Sequence, residues 1–145
     1  MRSYRVLVVD DHPDTAEVLS VLFKMLGHET RSSRRGREAL ELAREHDFDL
    51  ILLDIGLPDL SGYEVVRELR ADPRRPDRYI TAVTGHGRPS DIARSVHEGF
   101  DDHVTKPIDL GKVRQILRCA DSHYAPQSSS DTSVPKSSPP TPAPA

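Results

Sequence analysis

Three four-residue segments with little polar interruption stand out in the hydrophobic pattern of the chain: Val6–Val9, Leu50–Leu53 and Ile80–Val83. None of them alternates between apolar and polar residues, which is typical of strands that are buried on both faces of a parallel sheet. Two weaker segments, Glu29–Ser32 and His103–Thr105, are predicted to be strands mainly from their positions between helical patterns. The pattern therefore predicts five strands.

A helical pattern follows each predicted strand. The apolar positions of the five patterns are Val18, Leu19, Leu22, Met25 and Leu26; then Ala39, Leu40 and Ala43; then Val65, Val66 and Leu69; then Ile92, Ala93 and Val96; and last Val113, Ile116 and Leu117. Pro13 lies near the start of the first helix and Gly27 at its end, and Ser61 with Glu64 forms a capping box that opens the third. Five strand–helix repeats predict an α/β fold with right-handed crossovers and a doubly wound parallel sheet.

The composition excludes several classes of protein. The 145-residue chain has 20 Lys and Arg against 23 Asp and Glu, and its net charge of −3 argues against nucleic-acid binding through overall positive charge. The one cysteine, Cys119, cannot form an internal disulfide or, by itself, a zinc site. No apolar run approaches the roughly 18 residues of a membrane span, and the N-terminus lacks the features of a signal peptide. We therefore expect a cytoplasmic protein that binds neither nucleic acid nor membrane.

The composition changes after about Tyr124. Residues 126–145 include six prolines and six serines, and Val134 is their one large apolar side chain. Such a segment buries too little surface to offset the entropy of ordering, so residues 124–145 are predicted to be a disordered Pro/Ser-rich tail. A proline-rich ligand for a partner domain is the alternative. Residues 1–123 form the predicted domain, and the tail is too short to be an output domain.

Three carboxylates directly follow two of the predicted strands. Asp10 and Asp11 come after Val9, and Asp54 comes after Leu53. In a sheet of order 2-1-3-4-5, the first and third strands are neighbours where the strand order reverses, so these side chains converge. Carboxylates about 4 Å apart repel by about 4 kcal/mol at an effective dielectric of about 20, which indicates a cation between them. Oxygen ligands, with no Cys or His expected nearby, favour Mg²⁺ or Mn²⁺. The alternative is that Asp11 caps the first helix.

The other two strand ends supply a hydroxyl and an ammonium group. Thr84 follows Val83, and Lys106 follows Thr105. Together with carboxylates and a divalent cation, these groups suit phosphoryl transfer, which depends on positioning and on neutralising the charge of the moving group. A cis peptide bond between Lys106 and Pro107 would aim the ammonium into the cleft.

Four motifs resemble the receiver domain of two-component response regulators. They are VLVVDDHPD (Val6–Asp14), LILLDIGLPDLSGYEV (Leu50–Val65), ITAVTGHG (Ile80–Gly87) and GFDDHVTKPIDL (Gly99–Leu110). The match extends from about Tyr4 to His123, the whole predicted domain. The sequences of these motifs are most similar to those of receivers attached to hybrid histidine kinases. The resemblance implies the flavodoxin-like (βα)5 receiver fold with strand order 2-1-3-4-5.

The resemblance also implies a role for each residue of the site. Asp54 is the expected phosphoacceptor, which takes a phosphoryl group from a phosphohistidine on a sensor kinase. The expected Mg²⁺ ligands, with Mn²⁺ as a substitute ion, are Asp10 (mainly through water), Asp11, Asp54 and the Gly56 carbonyl. Lys106, the Thr84 hydroxyl and the Gly85 backbone N–H are expected to bind the phosphoryl oxygens.

Two features depart from the commonest pattern of the family. His103 stands three residues before Lys106, where the family usually has a Tyr or Phe whose inward rotation is coupled to Thr84. A half-buried surface histidine is the alternative to a switch role at this position. Gly56 and His86 occupy positions that in the family influence how fast the acyl phosphate hydrolyses, so the lifetime of the phosphoryl group stays open.

The resemblance implies a signalling switch or relay and no enzyme beyond phosphotransfer to the chain's own Asp54 and slow autodephosphorylation. A histidine kinase or a histidine phosphotransfer protein is the expected donor. Phosphorylation is expected to change partner binding on the face formed by the fourth helix, the fifth strand and the fifth helix, in a stand-alone monomer or weak dimer. The alternatives are a receiver module of a hybrid histidine kinase, a docking module with vestigial phosphorylation, and a Mg²⁺-dependent phosphohydrolase, for which Gly56 stands where a second acid belongs.

Overall fold

Five strands alternate with five helices along the chain, as seen in a computed structural model that describes residues 2–85 and 89–125. The strands are β1 (Arg5–Val9), β2 (Glu29–Ser33), β3 (Leu50–Asp54), β4 (Tyr79–Thr84) and β5 (Asp102–Thr105). The helices are α1 (Pro13–Met25), α2 (Gly36–Glu45), α3 (Gly62–Ala71), α4 (Pro89–Glu98) and α5 (Leu110–Tyr124). The predicted alternation of strand and helix is confirmed.

The strands form one parallel sheet in the order β2-β1-β3-β4-β5. The predicted α/β fold with strand order 2-1-3-4-5 is therefore confirmed. Val9 pairs with Leu53 across β1 and β3, and Thr84 pairs with Thr105 across β4 and β5. Because all strands run in the same direction, the residues that follow these pairs emerge at one edge of the sheet, where α/β proteins bind ligands.

Two hydrophobic clusters cover the two faces of the sheet. On one face, Val8 and Leu52 pack in a cluster with residues of α1 and α5, among them Leu19 and Ile116. On the other face, the alternate residues of the strands pack against α2, α3 and the segment between α4 and β5. This cluster includes Leu7, Ile51, Ala39, Val66 and Phe100. Burial on both faces explains why β1 and β3 are continuous apolar runs in the sequence.

The predicted inward faces of two helices are partly wrong. In α1, Val18 and Met25 were predicted to be buried but are 53% and 71% exposed, while the core receives Ala16, Leu19 and Phe23. In α4, Ala93 and Val96 are exposed and Ser95 is buried. The Ser95 hydroxyl donates a hydrogen bond to the carbonyl of Ile92 at 2.8 Å, so this polar group is satisfied inside the fold.

The predicted signals at helix ends are confirmed. Ser61 Oγ accepts from the backbone N–H of Glu64 at 3.2 Å, and the Glu64 carboxylate accepts from the backbone N–H of Ser61 at 3.0 Å, which is the predicted capping box. Gly27 and Gly99 follow α1 and α4 with φ of 92° and 119°, a backbone region that favours glycine. The cap at Ser61 fixes where α3 begins, and the two glycines fix where the loops after α1 and α4 begin.

Helix α5 reaches one residue beyond the predicted domain boundary at residue 123. Tyr124 is its last residue and packs against the cluster that contains Tyr4. The remainder of the predicted tail, residues 126–145, lies outside the described residues. Within the described part of the chain, no helix has the length and apolar character needed to cross a membrane.

Candidate functional site

The predicted carboxylates and the predicted ammonium meet at the carboxyl edge of the sheet. Asp10 and Asp54, which follow or end the neighbouring strands β1 and β3, are 2% and 7% exposed. Lys106 Nζ lies 3.0 Å from Asp10 Oδ2 and 3.1 Å from Asp54 Oδ2. One ammonium group therefore forms ion pairs with two carboxylates and offsets the repulsion between them.

Lys106 is held by its backbone as well as by its ion pairs. Its backbone N–H donates to the carbonyl of Thr84 at 2.8 Å, and its peptide bond to Pro107 is cis. Burial opposes the charge of the ammonium, but the hydrogen bonds and charges of Asp10 and Asp54 outweigh burial and raise the pKa of Lys106 above its ordinary value. Lys106 is thus a fixed cation.

A second lysine, which the sequence did not single out, anchors the loop that carries Lys106. Lys112 lies in the first turn of α5, and its Nζ donates to the carbonyl of Thr105 at 2.6 Å and to the carbonyl of Pro107 at 2.9 Å. These two bonds brace the backbone on both sides of Lys106. The signal was absent from the sequence, because a lysine near a helix start is ordinary until the loop geometry is known.

Backbone groups around Asp54 fix the orientation of its carboxylate. The N–H of Gly56 donates to Asp54 Oδ1 at 2.9 Å, while Asp54 Oδ2 accepts from Lys106. The next residue, Ile55, donates its N–H to the carbonyl of Val83 at 3.2 Å. Both oxygens of this carboxylate are therefore engaged in hydrogen bonds that keep it at the mouth of the site.

A histidine lies beside the carboxylates, contrary to the oxygen-only expectation. His12 Nδ1 is 3.3 Å from Asp10 Oδ1 and 3.2 Å from Asp11 Oδ1. One ligand atom each from Asp10, Asp11, His12 and Asp54 can be chosen so that all lie within 4.8 Å of one another. The sequence pattern contains this histidine, but only the side-chain directions at the start of α1 bring its ring to the site.

The donor set fits a divalent cation. The Oδ1 atom of Asp11 is buried and has no hydrogen-bond partner within residues 2–85 and 89–125, and a cation would supply that partner. The alternative role for Asp11, a cap on α1, is not the one observed: the N-cap is His12, and no side chain caps this helix. Three carboxylates around one lysine leave an excess of negative charge, which suits an ion such as Mg²⁺ or Mn²⁺.

The remaining predicted site residues lie on or next to β4 and β5. Thr84 ends β4 and is 9% exposed, and Gly85 follows it in an exposed position. His103 is partly buried on β5, in register with Ala82 of β4. The roles of these residues stay predictions, and His86 lies outside the described residues.

The family is decided by a comparison with models of known protein families. Residues 6–118 match the response regulator receiver domain, and this range includes every residue of the site described above. The chain belongs to this family. It is a receiver domain of two-component signalling, and the resemblance seen in its four motifs is confirmed.

Curated relatives of this receiver domain agree with the assignment. Response regulator protein PilR of Pseudomonas aeruginosa is 35% identical over 120 residues, which cover 83% of this chain and 26% of PilR. The chain thus spans about a quarter of the length of PilR. The polar-differentiation response regulator DivK of Brucella ovis is 35% identical over 113 residues, which cover 78% of this chain and 92% of DivK.

Solved structures place the receiver domain in the same fold. A CheY-like response regulator receiver domain from Methylobacillus flagellatus superimposes with a TM-score of 0.75 at 31% identity, covering 82% of this chain and 99% of that one. The predicted flavodoxin-like receiver fold is therefore confirmed by both sequence and structure.

Proposed function

We propose that this protein is a phosphorylation-dependent switch or relay in which Asp54 accepts a phosphoryl group in the presence of Mg²⁺. The observation that carries the proposal is the ion-pair group at the sheet edge, where Lys106 Nζ lies within 3.1 Å of both Asp10 and Asp54. A carboxylate beside a fixed cation and an excess of unneutralised carboxylate oxygens suits the acceptance of a phosphoryl group with a metal ion.

The proposed reaction transfers the group from a phosphohistidine to the Asp54 carboxylate. An oxygen of Asp54 attacks phosphorus, the P–N bond breaks, and its electron pair returns to the donor imidazole, forming an acyl phosphate. Asp10, Asp11, Asp54 and the Gly56 carbonyl would hold the metal ion, which when bound supplies positive charge to the phosphoryl oxygens. The donor is a histidine kinase or a histidine phosphotransfer protein.

Three groups of the chain would bind the transferred phosphoryl oxygens. The Lys106 ammonium already lies 3.1 Å from Asp54 Oδ2 and would pair with the new dianionic group. The hydroxyl of Thr84 and the backbone N–H of Gly85, at the end of the adjacent strand β4, would donate hydrogen bonds. These interactions favour the phosphorylated conformation and thereby bias a two-state equilibrium.

The face formed by α4, β5 and α5 is the proposed output surface. Val96 of α4 is 61% exposed and Leu110 of α5 is 36% exposed, so apolar side chains are available there for a partner. Val113 of α5 is 0% exposed and belongs to the core, so it is not available to a partner. His103 of β5 is partly buried within the same face and is the proposed link to Thr84.

We propose no catalytic turnover of an external substrate. Gly56 stands two residues after Asp54, where an aspartate-nucleophile phosphatase uses a second acid to protonate the leaving group. Without that acid, release of phosphate from Asp54 depends on water reaching the acyl phosphate. Slow autodephosphorylation is therefore the expected fate of the phosphorylated state.

The test is the mass of the intact full chain after incubation with Mg²⁺ and a small acyl-phosphate donor. The wild-type protein is expected to gain one phosphoryl group, and Asp54→Asn is expected to gain none. Asp14→Asn, which removes an exposed carboxylate in the first turn of α1, is the matched control and should behave like the wild type. Equal labelling of the wild type and Asp54→Asn would contradict the proposal.

Mg²⁺ binding to the same samples separates this proposal from a docking module with vestigial phosphorylation. A wild-type protein that binds Mg²⁺ and still takes no phosphoryl group, from the small donor or from a histidine kinase, would favour the docking module. Repeated turnover of a small phosphate ester would instead favour the phosphohydrolase.

A further inference from the structure

His12 occupies a position from which its side chain reaches the proposed cation site. It lies between Asp11 and Pro13, the first residue of α1, and it is the N-cap residue of that helix. Its backbone N–H donates to Asp10 Oδ1 at 2.9 Å. This bond fixes the start of the side chain next to the buried carboxylate.

The imidazole ring is directed toward the carboxylates although neither burial nor capping requires it. Its side chain is 67% exposed, and it makes no capping hydrogen bond to α1. Nevertheless Nδ1 lies 3.3 Å from Asp10 Oδ1 and 3.2 Å from Asp11 Oδ1. His12 also belongs to the group of four residues, completed by Asp54, whose ligand atoms lie within 4.8 Å of one another. In the tautomer that carries its proton on Nδ1, the ring donates to Asp10 Oδ1. In the tautomer that carries its proton on Nε2, Nδ1 presents a lone pair to a cation at the edge of this group.

A hydrogen bond from His12 does not account for the contact with Asp11. Among the residues that the structure describes, Asp11 Oδ1 has no hydrogen-bond partner, so its 3.2 Å separation from His12 Nδ1 is not a hydrogen bond. A cation bound between the two residues would satisfy this oxygen and use the imidazole nitrogen at the same time. The four donor atoms then form a mixed nitrogen and oxygen site.

We propose that His12 Nδ1 is a ligand of the divalent cation and that it makes this site select Mn²⁺ over Mg²⁺. Mg²⁺ prefers oxygen ligands and keeps its waters, so an imidazole nitrogen adds little to its binding. Mn²⁺ is the weakest binder among the first-row transition-metal ions, but as a member of that series it gains more from a nitrogen ligand than Mg²⁺ does. This inference rests on the proposed function, because it concerns the metal ion of the same phosphorylation site.

The experiment measures nitrogen coupling to bound Mn²⁺ and the affinities of both ions for the full chain. Electron spin echo envelope modulation of the Mn²⁺-loaded protein is expected to show coupling to one imidazole ¹⁴N, which is absent in His12→Asn. His12→Asn should also bind Mn²⁺ at least about tenfold more weakly, since loss of even an outer-shell partner of a metal ligand typically costs that much. Its affinity for Mg²⁺ should change little. His97→Asn, at an exposed position on α4, is the matched control and should keep wild-type coupling and affinities.

The outcomes distinguish this inference from the proposed function. The role of His12 would be overturned if Mn²⁺ bound to the wild-type protein showed no ¹⁴N coupling. It would also be overturned if His12→Asn kept the wild-type ratio of Mn²⁺ to Mg²⁺ affinity. The proposed function would stand in that case as long as Asp54 is still labelled in the presence of Mg²⁺. Failure of the wild type to bind either ion would overturn both. A folded His12→Asn is verified by its circular dichroism and melting temperature.

Discussion

Gly62, the first residue of α3, lies directly against the end of the strand that carries Asp54. A Cβ atom added at this glycine would lie 2.7 Å from the Cα of Ile55 and 2.8 Å from the carbonyl oxygen of Asp54. Both neighbours are backbone atoms, so neither can move aside without shifting the end of β3. Gly62→Ala is expected to destabilise the fold by roughly 1–3 kcal/mol, as measured by urea unfolding, because overpacking forces the backbone to shift.

Gly111→Ala is the control for this prediction. A Cβ atom there would meet Asp109 Oδ1 at 3.4 Å, which is ordinary contact, and the position is an exposed one on α5. Alanine should stabilise α5 by up to about 1 kcal/mol, because it has the higher helix propensity. Equal losses in the two variants would show that the close approach at Gly62 is not the cause.

His28 is expected to make the fold sensitive to mild acid. Its side chain is 8% exposed, and Nδ1 accepts a hydrogen bond from the backbone N–H of Tyr4 at 2.9 Å. Burial, which outweighs the opposing charge of Asp121, lowers the pKa of His28 below the ordinary value of 6.5. The unfolded chain therefore binds the proton more readily than the folded chain, so stability is full above about pH 6.5 and falls as the pH drops below it.

The measurement compares the free energy of unfolding at about pH 7 and about pH 5 in the wild type and in His28→Asn. The asparagine amide oxygen can accept the Tyr4 N–H bond but does not titrate in this range. Carboxylates titrate in both proteins, so the wild type should lose more stability than the variant. Identical pH profiles would exclude His28 as the sensitive group.

At the scale of elements, Tyr124 attaches the end of α5 to the sheet. Its hydroxyl donates to the carbonyl of Asp49 and accepts from the backbone N–H of Tyr79 at 3.2 Å. The guanidinium carbon of Arg2 lies 4.2 Å from the centre of its ring. Tyr124→Phe should destabilise the protein by about 1 kcal/mol in thermal or urea unfolding, the typical net contribution of such hydrogen bonds. Ser122→Ala, at an exposed position in the same turn, should leave stability nearly unchanged.

The elements differ in how far the sequence determined them. Strands β1, β3 and β4 were predictable because burial on both faces requires apolar residues in succession. The inward face of α1 was not, because apolar residues occupy more than one side of this helix: Phe23 is buried, whereas Val18 and Val21 are about half exposed. In α4, a buried serine that bonds its own helix is indistinguishable in sequence from an exposed one.

The residues of the site also differ in how far the sequence predicted them. The convergence of Asp10, Asp54 and Lys106 follows from strand order, because residues after parallel strands must share an edge. The approach of His12 and the bracing role of Lys112 depend on side-chain directions at helix starts, which the sequence pattern does not specify. Topology was therefore predictable, and the second layer of contacts was not.

At the scale of the whole molecule, the charge of the sheet edge couples stability to the metal ion. A divalent cation that binds only the folded chain should raise the free energy of unfolding, by about 2.7 kcal/mol at a free concentration 100 times the dissociation constant. Melting temperature is therefore expected to rise with Mg²⁺ concentration and to return to its starting value when a chelator is added.

Asp11→Asn tests the origin of that coupling. Asp11 contributes negative charge to this edge of the sheet. The ion pairs of Lys106 are with Asp10 and Asp54, so the substitution leaves both of them in place. The variant is expected to melt at a higher temperature than the wild type without Mg²⁺, because about 1 kcal/mol of repulsion is removed. It should also lose most of the Mg²⁺-dependent rise. A variant that keeps the full rise would place the ion elsewhere.

The polar sequence of β2 bears on how the molecule behaves when it is concentrated. In the part of the chain that the structure describes, β2 is an outer strand, and one row of its peptide groups has no neighbouring strand. Sheets of separate molecules join and polymerise through such rows. Glu29 and Arg31 are exposed along it, and the opposite outer strand, β5, has four residues and begins at Asp102. Short or charged edge strands oppose the edge-to-edge pairing of sheets that builds fibrils. The apolar strands between them are therefore shielded from the strands of other copies of the chain.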